Sequence, residues 1–332
     1  MCEVVCATIH IILKHMKTSA PKSNKIKIAI VAVGGKAASQ FSFMEWTKDV
    51  GVQRVAIVPS GSEMFLQPGI ADAVISLPLD RRVAVAKRRA DWVEIAQSIV
   101  AAKMDEIDRA IADADLVFFR GNISSALVAE EISVIASRVR AGGKLAVYAY
   151  ALPFAFEGAQ PMALARAHEA TLRGSVDAMV PVESDALVFP GMSAAQALGT
   201  VGNYIGEFTR ACLQMIETCG TINIDWNDIR STMHNAQRVH VGSVNGSVDD
   251  SADDLVQKVF SVKPGFEGAQ GAGFERAVYV ISAGADVPVQ AVHDLGSSIE
   301  THLAEDARII FGVEQSGVKD GEIEVRVVAA GV

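Results

Sequence analysis

Short apolar runs alternate with longer amphipathic segments through the first 190 residues of the chain. The runs are rich in β-branched and aromatic residues and end at glycine, proline or polar residues, which is typical of buried strands. They predict strands at Ile26–Val33, Arg54–Val58, Asp115–Phe119, Lys144–Leu152 and Ala178–Val182. Because strands that alternate with helices form a parallel sheet covered on both faces, this part is predicted to be an α/β domain.

Apolar residues at helical spacing predict the helices of this domain. Residues Arg81–Ala112 combine that spacing with many alanines and charged residues, and a further helix is predicted to end at Gly142-Gly143. One apolar face of that helix is formed by Leu127, Val128, Ile132, Ile135 and Val139. A much longer helical stretch, Met192–Cys219, follows the last predicted strand of the domain.

The last third of the chain has a different pattern. It predicts strands at Ala277–Ser282, Ala307–Phe311 and Glu322–Val328, with a helix at Pro288–Leu303 between the first two. This order is typical of a smaller α+β domain. The predicted organisation is an N-terminal arm of residues 1–25, expected to be disordered, an α/β domain of residues 26–190, a central helix of residues 191–219 and an α+β domain of residues 220–332.

Charge, hydropathy and cysteine content limit the classes of partner and ligand that the chain is expected to bind. The formal net charge is −9, and an acidic surface disfavours nucleic-acid binding. No apolar run reaches the roughly 20 residues that span a bilayer. Cys2 and Cys6 could form a weak metal or redox pair, but free thiols in a cytoplasmic protein are expected, and no metal site is predicted. The acidic segment Asp249–Asp254 is expected to be a solvated turn, because it lacks the spaced oxygen ligands of a calcium loop.

Ligands of a parallel α/β sheet bind at the carboxyl ends of its strands. Three segments of this chain follow such ends: Gly34-Gly35, Arg120–Ser125 and Pro153–Gly158. We therefore expect a ligand cleft between them. A glycine pair after a strand is a weak signal by itself, because it often forms only a turn.

An amide and two carboxylates stand where a helix running to Met233 is predicted to begin. Asn223, Asp225 and Asp228 have N-x-D-x-x-D spacing. Carboxylates in such a group can orient a water molecule or hold a hard cation. A simpler interpretation is that Asp225 or Asn227 caps the helix, and the residues alone favour the cap.

Four segments give the chain a resemblance to the FtsZ branch of the tubulin/FtsZ superfamily, over about residues 26–332. They are Leu152–Gly158, Thr221–Met233, Ala307–Gly312 and Gly321–Val327, and the first two are specific in combination. The order of elements is similar too: a nucleotide domain, a long central helix and an activation domain. The resemblance implies a cytoskeletal, cell-division protein that binds GTP and stacks head to tail into filaments, with the nucleotide between subunits.

The resemblance also implies site residues. In that family one subunit holds GTP and the next supplies an acidic loop, which here matches Asn223–Asp228. Asn223, Asp225 and Asp228 would then be catalytic, with the two carboxylates polarising the attacking water or holding a cation near the γ-phosphate. The nucleotide-binding positions that the resemblance implies are Gly34, Gly35, Lys36, Ser39, Ser124, Ser125, Glu157 and Asn203.

The nucleotide side departs from the family pattern. The family's loop G-G-G-T-G-T-G falls on Ser124–Glu130, where none of its glycines is present. Glycines let backbone N–H groups approach phosphate oxygens, whereas Leu127 and Val128 place branched side chains there. Glu130 is expected to add a negative charge, and like charges about 4 Å apart repel by roughly 1 kcal/mol in water and about 4 kcal/mol at an effective dielectric of about 20. We therefore expect GTP binding to be weak or lost.

The sequence leaves three functions open. The first is a pseudo-GTPase that forms or regulates head-to-tail filaments, with itself or an active FtsZ homologue as its partner. The alternative is an active GTP-binding, GTP-hydrolysing filament protein in which Lys36, Arg120 and the serines hold the phosphates. The third is an enzyme for another nucleotide, although no G-x-G-x-x-G follows the first strand. Because the chain stops at Val332, after its last predicted strand, we expect no family tail that binds membrane adaptors.

Overall fold

Two β-sheets with helices on their faces make up the part of the chain that the computed structural model describes. The described residues are 26–43, 51–217, 224–261, 273–284, 286–314 and 318–331. The predicted N-terminal arm and Asn223 lie outside them. None of the helices in these ranges is both long and apolar enough to cross a membrane.

The first sheet has six parallel strands in the order β3-β2-β1-β4-β5-β6. They are β1 (Ile28–Val33), β2 (Gln53–Pro59), β3 (Ala73–Leu77), β4 (Leu116–Gly121), β5 (Leu145–Ala151) and β6 (Ala178–Val182). The five predicted strands are confirmed within two residues of their expected ends. Strand β3 was not predicted, because it lies at the sheet edge, where only Ile75 and Leu77 are buried.

Helices cover both faces of the first sheet. They are α1 (Gly35–Ser39), α2 (Arg89–Ala101), α3 (Met104–Ala110), α4 (Ala126–Ala141) and α5 (Ala159–Leu172). The region expected to be helical from Arg81 starts instead with a short 3-10 turn at Arg81–Ala84, because the Asp80 carboxylate accepts a hydrogen bond from the backbone N–H of Arg82.

A long helix, α6 (Ala194–Glu217), and a short one, α7 (Trp226–Met233), lead to the second sheet. Its strand order is β7-β10-β8-β9, with β10 antiparallel to both its neighbours and β8 parallel to β9. The elements are β7 (Arg238–Ser247), α8 (Ala252–Val259), β8 (Phe274–Ala283), α9 (Val289–Glu300), β9 (Leu303–Glu314) and β10 (Glu322–Gly331). The predicted fold class, a parallel α/β sheet with a long helix and a smaller α+β part, is confirmed.

The acidic segment at residues 249–254 is only partly a turn, which corrects the sequence prediction. Ser251 caps α8, and Asp253 and Asp254 occupy the first helical turn. Carboxylates are favoured there by the helix dipole, so their clustering reflects a helix start. In the described residues no cluster of histidine, cysteine and acidic side chains is placed to hold a metal ion.

Three apolar clusters form the core. The first lies between the two sheets and includes residues of α6 and α7 together with strands from both sheets. The second packs the other face of the first sheet against α2, α3, α4 and α5. The third packs the outer face of the second sheet against α8 and α9. Helices α6 and α7 are therefore held in the middle layer of the molecule.

Candidate functional site

A cleft opens at the carboxyl edge of the first sheet, where the sequence predicts a ligand. Its walls come from α1, the loop after β4, the end of β5 and one side of α6. The free volume inside it is about 80 Å³, well below the roughly 300–1,000 Å³ of typical small-molecule sites. Of the expected nucleotide-binding residues, the lining includes Lys36, Ser124 and Glu157 and leaves out Gly34, Gly35, Ser39, Ser125 and Asn203.

Among the residues that the structure describes, two cationic side chains line the cleft. Lys36 is exposed on α1, whereas Arg120 at the end of β4 has only 2% of its surface exposed. Nη2 of Arg120 donates a hydrogen bond to Oε1 of Gln40 at 2.9 Å. Burial lowers the pKa of Arg120 to about 10, so the guanidinium stays protonated at neutral pH. The sequence signal for this group is an arginine at the end of a fully buried apolar strand.

Val128, in the first turn of α4, packs toward Gly34 after β1 and Gly121 at the end of β4. A Cβ atom added to Gly34 would lie 3.5 Å from Cγ2 of Val128, and one added to Gly121 would lie 2.8 Å from Cγ1 of Val128. The two methyl groups of Val128 therefore lie close to Gly34 and Gly121, at the ends of β1 and β4. Because interiors are packed without spare volume, the Val128 side chain takes up volume there that a glycine at this position would leave open.

The loop after β1 keeps one glycine feature of a phosphate loop. Gly34 has a backbone angle φ of +90°, a conformation that favours glycine. Its N–H donates a hydrogen bond to the carbonyl oxygen of Ile57 at 2.8 Å. Gly35 begins α1, and the Ser39 hydroxyl donates to the carbonyl oxygen of Lys36 at 2.9 Å. The Ser39 hydroxyl is thus bonded within its own helix.

Both serines of the loop after β4 also have partners inside the protein. Ser125 is the N-cap of α4, and its hydroxyl accepts from the backbone N–H of Val128 at 3.5 Å. The Ser124 hydroxyl donates to the carbonyl oxygen of Pro161 at 3.2 Å, and its N–H donates to Oδ1 of Asn122 at 3.1 Å. An anion in the cleft would have to replace some of these bonds.

Glu130 does not line the cleft, contrary to the expectation from the sequence. It is buried, and its Oε1 accepts a hydrogen bond from Nε of Arg89 on α2 at 3.1 Å. The next residue, Glu131, is also buried, and no hydrogen bond or ion pair from another described residue reaches its carboxyl group. Burial raises the pKa of Glu131 to about 8, so this acid is mainly neutral at pH 7.

The rim of the cleft is aromatic on one side and aliphatic on the other. Phe154 lines the cleft and stacks on Phe156, which is 75% exposed, with ring centroids 4.9 Å apart. Oε1 of Glu157 accepts from the backbone N–H of Phe154 at 3.0 Å, so this carboxylate braces the turn. The α6 wall consists of Leu198, Val201 and Ile205, while Asn203 lies on the exposed side of that helix.

The acidic helix start lies at the beginning of α7. Oδ1 of Asp225 accepts from the backbone N–H of Asp228, and Oδ2 of Asp228 accepts from the backbone N–H of Asp225, both at 2.9 Å. This reciprocal pair is a capping box, so the capping interpretation of Asp225 is confirmed. Asp225 is exposed and Asp228 partly exposed, which leaves one oxygen of each outside this pair of bonds. Capping and a role toward a partner are therefore compatible.

Similar proteins were found among curated sequences and solved structures. The chain is 25% identical to the cell division protein FtsZ of Aquifex aeolicus (strain VF5) over 309 residues, which is 92% of this chain and 83% of the relative. No family model matches the chain. A mutant FtsZ from M. jannaschii superposes with a TM-score of 0.72 at 19% identity, over 100% of this chain and 96% of that one. CetZ2 from Haloferax volcanii, in a GTPγS-bound protofilament, gives a TM-score of 0.71 at 18% identity, over 92% and 93%.

Proposed function

We propose that this chain, a homologue of FtsZ with the fold of the tubulin/FtsZ superfamily, is a cytoskeletal pseudo-GTPase. It forms or regulates head-to-tail filaments and does not depend on a nucleotide of its own. Its partner is an active FtsZ homologue or a second copy of the chain, in the cytoplasm. Neither nucleic acid nor a direct membrane anchor is part of the proposal.

The observation that carries this proposal is the position of Val128. Its methyl groups lie beside Gly34 and Gly121, and they take up volume that a glycine at this position of the family loop would leave to a phosphate. The serine hydroxyls of the loop after β4 are already used, because Ser124 and Ser125 bond to the protein itself. This packing supports the proposed loss of the chain's own nucleotide.

The other half of the proposed mechanism is the acidic start of α7. The carboxylates of Asp225 and Asp228 remain accessible at the surface. In the sequence, residue 223 precedes them by two and five positions and completes the acidic loop of the resemblance. Docked on the GTP of an active partner, they would orient the attacking water or a hard cation near the γ-phosphate. The chain would then complete the partner's site while its own cleft stays empty of GTP.

The experiment measures GTP turnover of an active FtsZ with increasing amounts of the chain. We expect wild type to change the turnover, and Asp225→Ala to abolish the change. Asp225→Asn is the decisive control, because asparagine is as good an N-cap as aspartate but carries no charge. If Asp225→Asn acts like wild type, Asp225 works only as a cap. If neither variant differs from wild type, the proposed mechanism is wrong.

A working GTPase is the second candidate, and one observation favours it. Arg120 and Lys36 place two positive charges along the cleft, and either can face an anion. In this reading they replace the missing glycine N–H groups as phosphate ligands. Calorimetric titration separates the two candidates. Heat of binding with GTP at micromolar concentration supports the second, and no heat at millimolar GTP supports the first.

A further inference from the structure

A polar cluster joins the carboxyl end of α7 to the first sheet, at the edge opposite the cleft. It consists of Arg140, Asp177, His234 and Asn235, which we name the clasp. Arg140 belongs to the last turn of α4, Asp177 directly precedes β6, and His234 and Asn235 follow α7. The clasp therefore links the element that carries Asp225 to the α/β part of the chain.

Asp177 is the centre of the clasp. It is only 3% exposed, and its Oδ2 accepts from the backbone N–H of Ala146 at 2.9 Å. Its Oδ1 accepts from Nε of Arg140 at 3.1 Å and lies 2.9 Å from Nδ1 of His234. A buried carboxylate with this many partners has a fixed position, because losing any partner would leave a buried charge short of hydrogen bonds.

Arg140 extends this fixed point to the end of α7. Its Nη1 donates to the carbonyl oxygen of Gly174 at 2.8 Å, and its Nη2 donates to Oδ1 of Asn235 at 2.8 Å. Asn235 has φ +55, the left-handed conformation that asparagine tolerates better than most residues. The planar guanidinium thus holds three groups in one fixed fork.

Two further arginines hold the same short helix. Nη2 of Arg230 donates to the carbonyl oxygen of Gly143, just beyond α4, at 3.0 Å. Nη1 of Arg276, on β8, donates to the carbonyl oxygens of Ser231 and His234 at 3.0 and 2.9 Å. Helix α7 is therefore bound to both sheets, and its polar contacts to the first one run through the end of α4 and through Asp177, directly before β6.

Helix α7 has eight residues and is about 12 Å long, so its two ends move together. We infer that the clasp positions Asp225 and Asp228 for a partner's phosphate by fixing the carboxyl end of their helix. This inference rests on the proposed function. Helix α4 has Val128 beside Gly34 and Gly121 at its amino end and Arg140 in the clasp at its carboxyl end.

The variants loosen the clasp without touching the acidic residues. Asn235→Gly keeps the left-handed backbone and removes the group that accepts from Arg140, while Asn235→Asp keeps an acceptor. Arg140→Ala removes the whole fork. Arg138→Ala is the matched control, since Arg138 lies on the same helix and pairs with Asp108 on α3, away from α7.

Two readouts are needed: the chain's effect on GTP turnover of an active FtsZ, and hydrogen exchange of the amides of residues 225–230. We expect Asn235→Gly and Arg140→Ala to reduce the turnover effect by about threefold or more, with faster exchange at residues 225–230. Asn235→Gly should leave the thermal midpoint nearly unchanged, whereas Arg140→Ala should lower it, because it leaves the buried Asp177 carboxylate without its guanidinium partner. Asn235→Asp and Arg138→Ala should behave like wild type.

The outcomes separate this inference from the proposed function. If Asp225→Asn abolishes the turnover effect while both clasp variants match wild type in both readouts, the clasp does not position α7 and the inference is wrong. If wild type has no effect on turnover, the proposed function is rejected. Hydrogen exchange then still shows whether the clasp fixes the capping box. If the amides of residues 225–230 exchange in Asn235→Gly as they do in wild type, the inference about the clasp is wrong.

Discussion

Replacing Glu131 by glutamine should make the protein more stable near and above neutral pH. The carboxyl group is buried in α4, no other described residue bonds to it, and burial raises its pKa from 4.5 to about 8. Because the folded chain holds this proton more tightly than the unfolded chain, the group favours folding below pH 4.5. That contribution is lost progressively as the pH rises to about 8.

The size of the effect follows from the two pKa values. Each pH unit between 4.5 and 8 removes about 1.4 kcal/mol from the free energy of unfolding. Because pH 7 lies two and a half units above 4.5, ionisation of Glu131 lowers the free energy of unfolding at pH 7 by about 3 kcal/mol relative to its value below pH 4.5. Glutamine has nearly the same shape and does not ionise, so Glu131→Gln should regain about that amount.

Urea unfolding at about pH 5 and about pH 8 measures this difference. Wild type should lose stability between the two conditions through this group, and Glu131→Gln should lose less by several kcal/mol. Glu130→Gln is the matched control on the neighbouring position. Because it weakens the ion pair with Arg89, it should not be more stable than wild type at either pH. Equal pH dependence of wild type and Glu131→Gln would refute the reasoning.

Three further predictions concern packing and buried charge. Val128→Gly should free volume beside Gly34 and Gly121, so calorimetry should detect tighter GTP binding than in wild type; equal heats would exclude Val128 as the obstruction. Gly121→Ala should destabilise the fold by about 1–3 kcal/mol in urea, because its Cβ would lie 2.6 Å from Cδ1 of Ile132, and unchanged stability would mean that α4 shifts freely. Burial lowers the pKa of His240 from 6.5 to about 4, so its contribution to stability is present above pH 6.5 and lost as the pH falls toward 4. In His240→Phe the free energy of unfolding should therefore change less with pH in that window, and an unchanged pH dependence would contradict this.

Strands buried on both faces were predictable because their signal is local. A continuous apolar run bounded by turn residues identifies β1 and β4 without knowledge of the rest of the chain. Edge strand β3 has alternating exposure over five residues, and α5 mixes small, polar and apolar residues, so neither produces a strong pattern. The fold class follows from the order of the elements, so it can be predicted even when β3 and α5 are missed.

The site was predictable only in part, for a different physical reason. Glycine turns and helix caps depend on neighbouring residues, so Gly34 and Asp225 could be interpreted from the sequence. The direction of Glu130 depends on Arg89, which lies 41 residues away, and nothing local indicates that pairing. The clasp is more distant still, since Arg140 and Asn235 are 95 residues apart and meet only after both sheets are in place.

The apolar layer between the sheets has a consequence for how the molecule melts. Buried side chains of β1, of α6 and of β10 belong to one continuous cluster, so the inner faces of the two sheets share one apolar layer. Separating the halves would expose that whole layer to water at once, which makes partial unfolding unfavourable. Calorimetry should therefore record one cooperative transition, and a fragment ending before α6 should aggregate through its uncovered sheet face.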